Sequence, residues 1–389
     1  MASDDLFSAW RAGDPSPLDH ELALAHAARE PVIDLINCTP QENGFLFPQE
    51  ILRDATMIAL GQDPVRFYKP DAKGQEPARE AIAAYYTRRK LPTAASQLIL
   101  TPGTSLGYYY ALRLLLKPGD ELLAPKPGYP LFDDLAAVAG VGLRRYHLRE
   151  TKGHWEFDLD DLEFQITPRT RAIAVVSPHN PTGAVMTAEQ YERLGAICRA
   201  RGIAVLVDEV FAETRENFPR PRDEDFSIVI TLNGVSKMFA LPQWKIAWLR
   251  VGGDADLCAP LLHTLEHFSD TFLPVNELAQ AITPELFAAA DPDILSEFAA
   301  RYAERRTLAR ELIKLPVAAN DAGVYLCAKL PAGVSDSDAA LRLLREARVL
   351  AHPGYYYDMP GHLVVTCVAE PAALREGIGR MNVLFRDRT

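Results

Sequence analysis

The stretch Ile203-Ala204-Val205-Leu206-Val207-Asp208-Glu209, read together with Phe226-Ser227-Ile228-Val229-Ile230-Thr231-Leu232, decides the fold. Both are short, β-branched and apolar without alternation, which is the pattern of strands buried on both faces. The second leads within a few residues into Ser236-Lys237-Met238-Phe239-Ala240-Leu241-Pro242. Upstream, the apolar run 172–177 leads into Pro178-His179-Asn180-Pro181-Thr182-Gly183. An amide, a carboxylate and an amine thus follow three successive buried runs, spaced 28 and 29 residues apart at Asn180, Asp208 and Lys237.

Outward from these runs the same alternation continues. Strand-like segments fall at 98–101, 121–124, 142–147, 172–177, 203–207, 228–232 and 246–251, with helical patterns at 106–116, 131–139 and 188–201 between them. Buried strands joined by helical crossovers give a mostly parallel, seven-stranded sheet between layers of helices. Beyond residue 254 long helices take over at 255–268, 276–290 and 292–313. A small α/β segment follows, with strands near 324–329, 349–351 and 363–367 and helices at 335–345 and 371–385. A helix-like stretch at 18–29 belongs to an N-terminal arm expected to pack beside this C-terminal part. The organisation expected is an arm at 1–45, a large domain at 46–270 and a small domain at 271–389, the small domain drawing on both chain ends.

Composition narrows the function. With 389 residues, 48% hydrophobic and 24% charged, the chain is long enough for two globular domains. A formal charge of −11 argues against nonspecific nucleic-acid binding. Five cysteines, odd in number, scattered and without a CxxC pair, point to reduced thiols rather than disulfides or a metal site. The acidic opening Met1-Ala2-Ser3-Asp4-Asp5 has no basic segment followed by an apolar one, and no run reaches the length of a membrane span. The expected compartment is the cytoplasm.

In open parallel sheets, ligands sit at the carboxyl ends of strands, where Asn180 and Asp208 fall. An amine that forms a Schiff base with an aldehyde, and a carboxylate that pairs with a ring cation, are the groups a pyridoxal phosphate (PLP) site needs. Each residue also has a plain structural reading. Ser-Lys can open a surface helix, Asp208 can cap one, and Asn-Pro is a common turn. The turn Thr101-Pro102-Gly103-Thr104-Ser105 opens a helix, and free N–H groups there suit an anion.

Taken in order, these motifs make the chain similar to the fold-type I PLP enzymes, and specifically to the class I/II aminotransferases, over about residues 30–385. The resemblance implies an aminotransferase that passes an amino group from an amine or amino-acid donor to a 2-oxo acid. It makes Lys237 the Schiff-base lysine and proton shuttle, Asp208 the partner of the ring nitrogen, and Asn180 the partner of the phenolic oxygen. Gly103, Thr104 and Ser105 become the phosphate cup, Tyr129 the aromatic stacked on the ring, and His179 stays structural. Tyr68 becomes a residue reaching the neighbouring subunit's phosphate in a homodimer.

Three positions depart from the family pattern. Lys245 stands where an arginine forks onto the phosphate, and keeps the charge without the bidentate geometry. Phe211 stands where a tyrosine hydrogen-bonds the cofactor. Val364 stands where an arginine clamps the substrate carboxylate, which leaves Lys69, Arg66, His362 and Tyr355, Tyr356 or Tyr357 as stand-ins. A lyase or decarboxylase on the same fold, and an effector-sensing module without catalysis, are the alternatives this leaves.

Overall fold

The computed structural model describes residues 15–385; Met1–Asp5 lie outside them. The N-terminal part forms α1 (Pro17–Ala27), β1 (Ile33–Asp34), α2 (Gln49–Leu60), the single turn α3 (Asp63–Arg66) and α4 (Glu76–Arg88). The central part runs β2 (Leu98–Thr101), α5 (Thr104–Leu115), β3 (Glu121–Lys126), α6 (Leu131–Ala139), β4 (Gly142–Thr151), β5 (His154–Phe157), α7 (Leu159–Gln165), β6 (Thr170–Val176) and α8 (Ala188–Arg201). It continues with β7 (Ala204–Asp208), β8 (Ile228–Gly234), the turn α9 (Val235–Met238), β9 (Ala247–Gly253) and α10 (Ala255–Asp270).

These strands make one sheet in the order β2-β9-β8-β7-β6-β3-β4-β5. The sheet has eight strands rather than the seven expected. The seven apolar runs are all in it, and β5 adds an edge strand as an antiparallel hairpin on β4. The core of the sheet is parallel from β4 through β3, β6 and β7 to β8. Besides β5, β9 runs against its neighbours, β8 and β2.

Burial on both faces explains the unbroken apolar runs. Leu206 and Ile230 pack on one side with Leu112, Phe132 and Leu249. Val205, Val207 and Val229 pack on the other with Leu194 and Cys198. Successive residues point to opposite faces, so a strand covered on both sides must be apolar throughout. Between β6 and β7, α8 is closed by a Thr187–Gln190 capping box and by Gly202 in a left-handed conformation.

The remaining elements are α11 (Glu277–Ala290), α12 (Asp293–Leu312), β10 (Tyr325–Lys329), α13 (Asp336–Ala347), β11 (Val349–Leu350), β12 (His352–Pro353), β13 (His362–Thr366) and α14 (Pro371–Phe385). A three-stranded antiparallel sheet, β10-β13-β12, carries the C-terminal part. The arm joins it directly: β1 pairs with β11, Glu21 takes an ion pair from Arg345 at 2.6 Å, and Leu35 packs with Leu326, Leu343 and Ile378. In contrast, α11 lies on α2 and α4. The Gln75 N–H donates to the Gln280 side chain at 2.6 Å across that contact.

Candidate active site

The strand order brings the polar motifs to one edge. β6, β7 and β8 are neighbours and parallel, so Asn180, Asp208 and Lys237 follow adjacent carboxyl ends. β2 runs the same way two places along, and Gly103 follows its end. β9 is antiparallel, so it enters the sheet at that same edge, and Lys245 precedes its first residue by two. Five positions between residues 103 and 245 therefore converge because of one topology.

At the β2 end, Gly103 is the N-cap of α5 and no side chain caps the helix. Its first N–H groups are left for an anion. Lys245 adopts a left-handed backbone, with φ of 54°. Its Nζ would lie only 3.7 Å from a Cβ placed on Gly103, so the ammonium stands over the helix start. Thr104 and Ser105 form the first turn.

Asp208 closes β7 and is buried. Burial pushes its carboxyl up from its ordinary 3.8 to about 6, against the pull of the Val210 N–H and the Tyr108 hydroxyl. The buried Glu209 carboxylate beside it adds to the rise. The Val210 N–H donates to Oδ1 at 3.0 Å. Among the described residues no cation pairs with Asp208. Glu209 faces elsewhere and takes Arg220, Nε to Oε2 at 3.3 Å, in a pair almost wholly out of water.

Lys237 lies on the turn α9 directly after β8. Gly234 makes that approach possible: a Cβ there would come within 2.9 Å of both Ala247 and the Ile246 carbonyl. The Lys237 ammonium donates to the Cys38 sulfur at 3.8 Å. Tyr325 and Tyr357 surround the same thiol, and burial drives both phenols well above their usual range. Tyr129 is half-exposed and its phenol is raised by burial, then by Tyr356 and Cys38. The Gly128 N–H beside it donates to the Tyr357 carbonyl at 3.0 Å, which ties this loop to the C-terminal part.

The Asn180 amide oxygen is buried and without a partner. His179 is fully buried and pushed down to about 3 by burial; its Nδ1 lies 2.9 Å from the Thr182 hydroxyl. It is a neutral packing residue.

The substrate stand-ins disperse. Val364 is fully buried in the middle of β13, opposite Cys327 and His352. Lys69 is on the surface with Asp63 at 3.4 Å, Arg66 lies over the Phe67 ring, and Tyr68 is 82% exposed. The Tyr355 N–H donates to Asp336, Tyr356 stacks on His352, and the His362 ring turns back on the Pro360 carbonyl. Of these residues, Tyr357 is buried beside the Cys38–Lys237 pair. Within one chain, Lys69, Arg66 and Tyr68 stand apart from it.

Two neighbours of the site went unread in the sequence. Cys38 is 199 residues from Lys237, and nothing local marks it. Tyr108 had a signal: it lies one turn into the helix that opens at Gly103, on the side facing Asp208.

A lysine after a buried strand, a buried carboxylate lacking a cation and a helix start topped by an ammonium stand at one edge of the sheet, the arrangement expected of a transferase of the fold type the sequence resembles. The model of the family "Aminotransferase class I and II" matches residues 36–381. The glutamate-pyruvate aminotransferase AlaA of Escherichia coli strain K12 is 31% identical over 286 residues, which is 70% of this chain and 68% of that protein. A probable aspartate/prephenate aminotransferase of Aquifex aeolicus is 27% identical over 94% of this chain and 95% of its own length. The crystal structure of an aminotransferase from Escherichia coli superposes with a TM-score of 0.85 at 25% identity, over 95% of each chain. The chain belongs to the aminotransferase class I and II family, and it is an aminotransferase.

Proposed function

We propose that the protein holds pyridoxal 5′-phosphate at this edge and uses it to move an amino group from an amine or amino-acid donor to a 2-oxo acid. The observation that carries the reading is Asp208. A buried carboxyl raised to about 6 with no cation beside it is costly to ionise, and a protonated ring nitrogen is the partner that would make the charge favourable. The unpartnered Asn180 amide would take the phenolic oxygen. Gly103, Thr104, Ser105 and Lys245 would take the phosphate, and Tyr129 the ring face.

Bound there, the cofactor supplies an aldehyde that captures the amine and a ring that accepts electrons. Asp208 would hold a proton on the ring nitrogen. Lys237 would hold the aldehyde, and its amine, once free, would be placed to take and return a proton at the donor's α-carbon. Phe211 is buried and offers no hydroxyl, so Asn180 works alone at its oxygen.

Met57, Ile58, Phe67 and Tyr68 are exposed on and after α2. An apolar face of this kind suits a second copy of the chain, with Tyr68 reaching across to its phosphate. We place the large body at 46–290 rather than 46–270, because α11 packs on α2 and α4, and the small body in the arm and the remainder. No helix among the described residues is long and apolar enough to cross a membrane, and the cytoplasm is the compartment we propose.

A single-turnover experiment tests the reaction. With an amine donor and no acceptor, one equivalent of carbonyl product should appear while the nitrogen stays on the enzyme as the pyridoxamine form. Release of ammonia or carbon dioxide instead would mark a lyase or decarboxylase.

A further inference from the structure

A cavity of about 550 Å³ opens away from Lys237, between the end of α4, the 212–220 loop and the junction of α11 with α12. That is the size range of small-molecule sites. Five cations line it: Arg88, Arg89, Lys90, Arg215 and Arg220. Its three carboxylates are Glu213, Glu216 and Asp291.

Two of those carboxylates are already saturated. Asp291 accepts from Arg88 at 2.6 Å and from both arms of Arg89 at 3.0 Å. Glu213 accepts from Arg89 at 3.1 and 3.2 Å, from Arg220 at 3.4 Å and from the Tyr85 hydroxyl. Glu216 points into solvent at the rim. Lys90 and Arg215 have no carboxylate partner among the described residues, and Arg215 reaches only the Glu216 carbonyl, at 3.3 Å. Between the cations the wall is apolar, with Phe218, Pro219 and Leu295.

We propose that this cavity is an effector site for a small organic anion, a phosphate ester or carboxylate on a compact apolar body, held by Lys90 and Arg215. The wall connects to the chemistry. Arg220 donates to Glu213 on the cavity side and to Glu209 on the inner side. Glu209 is the buried neighbour of Asp208. An anion that draws Arg220 outward weakens the only ion pair Glu209 makes among the described residues, and the change is felt at Asp208.

Calorimetric titration of the holoenzyme with phenyl phosphate tests this without turnover, and so independently of which reaction the enzyme runs. In the holoenzyme the cofactor's own phosphate occupies the Gly103 cup. Phenol and inorganic phosphate serve as probes of the apolar body and the charge alone. The expected result is one saturable site per chain for phenyl phosphate, weaker binding of inorganic phosphate and none of phenol. Lys90→Ala/Arg215→Ala should weaken binding about tenfold or more. Ser296→Trp, which fills the mouth from an exposed helical position and leaves every cation in place, should do the same. The rate with an amine donor should change in wild type over the same concentration range and stay flat in both variants. Absence of saturable binding, equal affinity in both variants, or displacement of phenyl phosphate by the amine donor would overturn the site. Binding with no change in rate would overturn its role as an effector.

Discussion

Replacing Asp208 with Asn separates the cost of this carboxylate from its use. In the cofactor-free protein the carboxyl ionises at about 6 when folded, against 3.8 ordinarily. A group whose folded value is raised stabilises the fold below its ordinary value, and that stability is lost as pH rises toward the folded value. At about 1.4 kcal/mol per tenfold, the loss amounts to about 3 kcal/mol, complete above pH 6. Asn cannot ionise, and its amide oxygen can still accept from the Val210 N–H. The cofactor-free Asp208→Asn variant should therefore be more stable than wild type at pH 8 by about 3 kcal/mol. The advantage should be about 1.5 kcal/mol smaller at pH 5, where the folded carboxyl is still protonated. Glu209 and the other titrating groups are shared by both proteins and largely cancel in the difference. Urea denaturation at the two pH values gives both numbers. With cofactor and donor present the variant should be the poorer enzyme, its turnover lower by orders of magnitude, because the ring nitrogen loses its anion. A variant no more stable than wild type at pH 8 would refute the buried, cation-free carboxylate on which the reading of Asp208 rests.

Arg220→Ala should destabilise the protein by about 3–5 kcal/mol in the same assay, because it strands Glu209 in the interior; Arg220→Lys should recover part of the loss. Lys245→Gln should weaken cofactor binding by about one to two orders of magnitude, read by fluorescence titration, since a charge-assisted contact of about 1.5–3 kcal/mol over the α5 start is removed. Val364 offers no hydrogen bond to a carboxylate. Alanine and aspartate should therefore convert the cofactor band only at concentrations about tenfold or more above those of a carboxylate-free amine of similar size. Conversion by an α-amino acid as tight as by such an amine would contradict this.

The sheet was legible because burial on both faces leaves an unmistakable trace in residues 203–207 and 228–232. The helices Leu131–Ala139, Ala188–Arg201 and Pro371–Phe385 fell where the helical patterns of the sequence placed them. β5 escaped because an edge strand is covered incompletely: His154 is exposed and only Phe157 is buried, so no apolar run announces it. The landmarks that follow strand ends were readable for the same reason as the strands, since position after a buried run fixes which edge a residue reaches. Residues brought in by packing were not. Cys38 is brought to Lys237 by the packing of the arm, where β1 pairs with β11 and the Tyr325 hydroxyl donates to the Ile36 carbonyl, and Arg220 is brought to Glu209 by the path of the 212–220 loop. The clamp stand-ins dispersed because Lys69 and Arg66 lie on an exposed segment whose neighbour would be another copy of the chain.

The central claim is that Lys237 carries the cofactor. Borohydride reduction of the protein loaded with pyridoxal 5′-phosphate, followed by proteolysis and mass spectrometry, tests it most directly. One pyridoxyl group per chain is expected on the peptide containing Lys237, and none fixed in Lys237→Ala. A pyridoxyl group on Lys245 or any other lysine of the wild-type protein would contradict it.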